Sequence, residues 1–78
     1  MEKKFKGVVV IEKVNKKLGN KLRRMRISEC MTRKQLADMF GVTISAIGMY
    51  EQGRRTPSDD VKAKYSMLFD KTVDEIFF

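Results

Sequence analysis

An all-α domain is what this sequence predicts, on three observations. Apolar residues recur at helical spacing in several separate stretches. Each stretch opens on Asn, Thr or Ser, the residues whose side chains satisfy free N–H groups at a helix start. Glycine or proline follows where those helices should stop. The chain has 78 residues, enough for one small domain. A core of that size gives limited stability, and self-association would add to it.

Each element can be justified in turn. Leu18, Leu22 and Met25 lie at i, i+4 and i+7, one face of a first helix, with Asn15 as its N-cap. Arg23, Arg24 and Arg26 occupy its other faces, and it should fade near Glu29 and Cys30. Thr32 is a fresh N-cap, and Gln35 three residues on completes a capping box. Leu36, Ala37 and Phe40 continue that second helix, which Gly41 stops. Thr43 opens a third helix, which Gly53 ends. Two short helices joined by a tight glycine-containing turn make a helix-turn-helix.

Pro57 biases Thr56 away from helical angles. Ser58 caps a fourth helix, with Asp59 and Asp60 in its first turn, where acids suit the dipole. Val61, Tyr65 and Leu68 give its apolar stripe, helped by Met67. Residues 70–72 break it, and Thr72 caps a last short helix with Asp74 and Glu75 near its start. The segment 1–17 reads differently. Residues 8–11 are four consecutive β-branched residues, suited to a short N-terminal β-strand. A strand must pair to be stable, so the same segment also reads as a basic arm. The expected organisation is an extension at 1–17 and a helical domain at 18–78.

Charge is distributed unevenly. The net formal charge is +7, made of +4 over residues 1–17, +5 over 18–55 and −2 over 56–78. Basic charge in the first two thirds favours a polyanion approached from one side. Other classes fall away. One cysteine and no histidine leave no Cys/His metal cage, and no cofactor is implied. Catalysis without histidine would need paired carboxylates or a Ser/Lys set in a pocket. The acids instead sit where caps and first turns want them, so an enzyme is not expected. The longest apolar run, residues 8–11, is far below a membrane span or a secretory leader. Cytoplasmic residence without membrane association is therefore expected.

The stretches "LGNKLRRMR", "MTRKQLADMFGVTISAIGMYEQGRRTPS" and "VDEIFF" together resemble the phage-repressor/Cro-like (XRE) helix-turn-helix domain, across residues 18–78. The resemblance implies a compact five-helix repressor-like bundle. It also implies a second helix crossing the DNA backbone and a third helix in the major groove. By position, Arg33, Lys34, Arg54 and Arg55 would meet phosphate. Thr43, Ile44, Ser45, Gly48 and Met49 would meet bases or adjoining phosphates. Arg26 and Glu51 match a salt bridge between the first and third helices. Cys30 stands where the family commonly has Gly in a left-handed conformation; cysteine tolerates that poorly, so the turn there is expected to differ.

Residue chemistry sharpens these roles. A helix N-terminus favours anions, and Arg33 and Lys34 in a first turn oppose the dipole, so local stability alone would not choose them. Arg54 and Arg55 can also complement a helix C-terminus. Glu51 lies about 40° from Ile47 around the helix, near the core edge, where a carboxylate needs a partner. Tyr50 and Tyr65 fall on apolar faces and are core rather than stacking platforms. At about 100° per residue, Thr43, Ile47 and Tyr50 face inward. Ser45, Gly48, Met49 and Gln52 face outward, with Ile44 at the border.

That outer face is chemically sparse. Ser45 and Thr43 can hydrogen-bond, while Ile44 and Met49 can only touch thymine methyls. The expected function is operator binding to double-stranded DNA by a small transcriptional regulator of repressor kind, as a homodimer. Its specificity should be modest and biased toward A·T pairs, with shape and phosphate contacts carrying more. The rival is a protein-interaction module on the same fold, such as an anti-repressor, bridging factor or antitoxin, for which the apolar outer positions speak.

Overall fold

The structure, a computed structural model, describes residues 14–78. These form five α-helices: α1 (Lys16–Ser28), α2 (Arg33–Phe40), α3 (Ile44–Glu51), α4 (Asp59–Phe69) and α5 (Val73–Phe77). The strand expected near residues 7–13 lies outside the described residues.

The caps are the expected ones. Asn15 Oδ1 accepts from Leu18 N at 3.1 Å. Thr32 and Gln35 form a reciprocal capping box, as do Thr72 and Glu75. Thr43 and Ser58 cap α3 and α4. Because α1 starts at Lys16, the helical unit takes in the last residues of the segment read as an extension.

Leu22, Leu36, Ile47, Tyr65 and Ile76 are the largest fully buried side chains. Burying each stabilises the fold by about 1.5–3 kcal/mol. Tyr65 sits at the aromatic centre, with Phe40 edge-on at 4.7 Å and Phe77 edge-on at 5.8 Å. Tyr50 is buried as well, so both tyrosines are core residues. Met67 departs from expectation: it is 82% exposed and does not help the α4 stripe. It lies about 120° around the helix from Val61 and about 160° from Tyr65, on the face away from the core.

α3 is the central element, packed on both α1 and α2. Its approach to α1 is backbone against backbone. A Cβ at Gly19 would lie 2.5 Å from the Glu51 carbonyl oxygen and 2.6 Å from Gly53 N. Gly53 has φ +73°, and a Cβ there would collide with the Asn15 carbonyl. Asn15 N in turn donates to Gly53 O at 2.8 Å. The start of α1 is thereby fixed to the end of α3. The turn after α1 corrects one expectation. Cys30 has φ 56°, so the left-handed turn is kept despite its side chain. The turn is closed by Cys30 N donating to Ile27 O and Met31 N to Arg26 O.

Candidate nucleic-acid interface

The buried charged residue among the described residues is Glu51, on the last turn of α3. Its side chain has no exposed surface. Arg26 approaches it as a fork: Nε donates to Oε2 at 2.6 Å and Nη2 to Oε1 at 3.0 Å. Arg26 Nη1 donates to Met31 O at 2.8 Å, which ties the network to the turn before α2. The Glu51 hydrogen bond raises the Arg26 pKa above its ordinary value, against the opposing effect of burial.

A second guanidinium joins this pair. Arg33 Nε donates to Glu51 Oε1 at 3.2 Å. Sequence reasoning found Arg26 with Glu51 but gave Arg33 only to phosphate. Two guanidiniums on one buried carboxylate leave a net positive charge, and the Arg33 side chain remains 41% exposed. It therefore presents cationic surface while its root is held.

Arg33 also explains a correction on α3. Gly48 does not face outward; it is buried. Arg33 Nη1 lies 4.0 Å from where a Cβ at position 48 would sit. The helical-wheel angle placed Gly48 correctly around α3 but could not show that a side chain from α2 covers it. Thr43 is corrected in the other direction. It is exposed, not inward, and its Oγ1 accepts from Ala46 N at 3.0 Å as the cap. The exposed face of α3 is therefore Ile44, Ser45, Met49 and Gln52, with Ile44 50% and Met49 40% exposed.

The other expected cations are on the surface. Lys34 pairs with Asp38 at 2.9 Å, both exposed. Such a pair contributes about 0.3–0.5 kcal/mol and yields readily to a stronger anion. Arg55 lies over the Tyr50 ring at 5.9 Å. Arg54 is exposed, and its backbone N donates to Met49 O at 3.0 Å.

An open cleft of roughly 580 Å³ lies between α1 and the end of α3. Lys16, Arg23, Arg33 and Arg54 line it, with Val14, Asn20, Glu51 and Gln52. Sequence reasoning missed Lys16 and Asn20 here. The signal was available: residues 16, 20 and 23 repeat at i, i+4 and i+7, as Leu18, Leu22 and Met25 do on the opposite face. Among the described residues there is no group of His, Cys, Asp or Glu able to hold a metal ion. No described helix is long and apolar enough to cross a membrane.

Comparison with known proteins agrees with the fold. The helix-turn-helix family profile matches residues 22–76. Repressor protein C of Escherichia phage P2 is 46% identical over 44 residues, covering 56% of this chain and 44% of the repressor. The match thus spans less than half of that relative's length. The restriction-modification controller protein C.AhdI from Aeromonas hydrophila superposes with a TM-score of 0.70 at 29% identity, covering 80% of this chain and 94% of that one. The clp gene regulator ClgR from Corynebacterium glutamicum has the same fold, with a TM-score of 0.69 at 24% identity, over 78% of this chain and 65% of its own.

Proposed function

The chain belongs to the helix-turn-helix family, and we propose that it is a cytoplasmic transcriptional regulator of repressor kind that binds operator-like duplex DNA as a homodimer. One observation carries the reading most. The exposed face of α3 lies beside a cleft whose cations come from α1, α2 and the loop after α3. A single phosphate strand running past α3 meets all of them at once. In this reading Arg33 and Arg54 hold phosphate inside the cleft, and Lys16 and Arg23 add charge to it. Lys34 and Arg55 hold phosphates at its margins. Thr43, Ile44, Ser45 and Met49 rest against base edges, and Gly48 does not.

The affinity is then mostly electrostatic, and binding falls steeply as salt rises. Direct reading is confined to hydroxyl groups and thymine-methyl contacts, so preferred sites are A·T-biased opposite α3. No catalytic step and no cofactor belong to this function.

Selection of bound sequences from a random duplex pool tests it. Enrichment of a two-fold site with A·T pairs opposite α3 is the expected outcome. A second reading, a protein-interaction module, is favoured by the exposed Ile44 and Met49. Salt-insensitive binding with no sequence enriched would move the assignment to that reading.

A further inference from the structure

The cleft beside α3 offers more than a DNA backbone requires. Phosphate oxygens present only charge and acceptors, so cations and N–H donors suffice to grip them. Here the side-chain amides of Asn20 and Gln52 and the partly exposed Val14 stand among the cations. Amides accept as well as donate, and Asn or Gln can pair with the edge of adenine. Val14 adds apolar contact area. The space of roughly 580 Å³ also falls within the range of about 300–1,000 Å³ usual for small-molecule sites. We propose that this cleft binds a free nucleoside polyphosphate, its linked phosphates on the cations and its base against the amides and Val14, and that this ligand and duplex DNA exclude each other. The exclusion rests on the DNA-binding reading above; the binding does not.

Charge favours a compact anion. Lys16, Arg23, Arg33 and Arg54 line one space. Glu51 does not cancel them, because it is fully buried and is met by Arg26 as well as by Arg33. A terminal phosphate carries about −1.5 to −2 near neutral pH, and each further linked phosphate adds to it. A nucleoside polyphosphate thus brings several charges to one place, where a DNA strand passes with one per phosphate. The cleft is also built in advance. Asn15 N donates to Gly53 O at 2.8 Å, which joins the start of α1 to the end of α3. Arg33 is held by Glu51 at 3.2 Å. Little ordering remains to oppose binding.

The test titrates the full chain with ATP, tripolyphosphate and sulfate by calorimetry, at fixed ionic strength and with a chelator to remove divalent metals. ATP should saturate at one per chain and bind more tightly than either other anion. Arg23→Gln should weaken ATP binding by about tenfold. Lys71→Gln removes the same charge from outside the cleft and should weaken it by less than about threefold. Gln52→Ala should erase the advantage of ATP over tripolyphosphate. Binding that does not saturate, sulfate binding as tight as ATP, or equal effects of the Arg23 and Lys71 changes overturns the site in favour of surface charge alone. Tripolyphosphate binding as tight as ATP overturns the nucleoside contact. Competition is read separately: saturating ATP should release a labelled duplex, and a duplex that stays bound overturns the exclusion. If ATP saturates but the chain binds no duplex at all, the DNA-binding reading fails and the exclusion with it, an outcome distinct from a duplex that ATP leaves in place.

Discussion

Glu51→Gln should be the most damaging near-isosteric change in this domain. Gln fills the same space but carries no charge. The Glu51 side chain is fully buried and accepts three hydrogen bonds, two from Arg26 and one from Arg33. Gln retains one acceptor oxygen and places an NH₂ against a guanidinium. Arg26, whose side chain is 11% exposed, is then left without a counter-charge. Breaking a buried pair on one side costs about 3–5 kcal/mol. A domain of this size has a total stability of only about 4–12 kcal/mol. The expected loss is about 3–4 kcal/mol, which lowers Tm by roughly 15–25 °C. Thermal unfolding followed by circular dichroism reads this directly. A double-mutant cycle with Arg26→Met and Arg33→Met apportions it. Arg26 should couple to Glu51 by about 2 kcal/mol or more. Arg33, which is 41% exposed, should couple by about 1 kcal/mol or less, because solvent screens it. A Tm drop below about 5 °C, or equal coupling of the two arginines, would refute this account of the network.

Three further outcomes follow from particular contacts. Gly19→Ala should destabilise by about 1–3 kcal/mol through forced separation of α1 from α3, although helix propensity alone would favour Ala by about 1 kcal/mol; urea unfolding gives the sign. Tyr65→Phe should be neutral or slightly stabilising, because the Tyr65 hydroxyl is buried with no hydrogen-bond partner among the described residues; a loss above about 1 kcal/mol would show that the hydroxyl is satisfied. The Glu75 carboxylate is held below its ordinary pKa, first by the Thr72 backbone N–H and then by the Thr72 side chain. A depressed folded pKa means that the contribution is complete above the unfolded pKa and is lost as pH falls through the folded one. Glu75→Gln should therefore flatten the acid limb of Tm against pH and leave a smaller difference between variant and parent at low pH than at neutral pH.

The helices were legible because each is announced locally. Thr32 with Gln35 and Thr72 with Glu75 are capping boxes written in four residues, and both form. Gly41 and Gly53 mark ends by backbone conformation alone. The Arg26–Glu51 pair was legible through resemblance, and its burial through helical phase. What failed to show was whatever depends on a side chain arriving from another helix. Gly48 was placed outward because a wheel has no knowledge of Arg33. Thr43 was placed inward because a wheel treats an N-cap as a helical residue, whereas its extended backbone (φ −80°, ψ 157°) turns it out of phase. Cys30 kept a left-handed turn because the surrounding chain dictates that conformation more strongly than its own preference resists it.

The same contacts that stabilise the core also decide which part of the interface is ready before DNA arrives. Gly19 and Gly53 set the distance between α1 and α3 by backbone contact, so the width of the basic cleft is a property of the fold rather than of mobile side chains. Glu51 stays buried and accepts from Arg33 Nε, and Arg33 Nη1 lies 4.0 Å from where a Cβ at position 48 would sit. A Cβ at position 48 would meet Arg33 only at ordinary contact distance, so alanine fits there, while a longer side chain would compete with Arg33. In the proposed reading, a phosphate at Arg33 would order little that is not already ordered, whereas Lys34 and Arg55 would have to give up looser partners or rotamer freedom. The preorganised cation sits on α2 and its anchor on α3, so neither α2 nor α3 alone would present it. In this domain the helix-turn-helix functions as one unit because a buried carboxylate joins its two helices to each other and to α1.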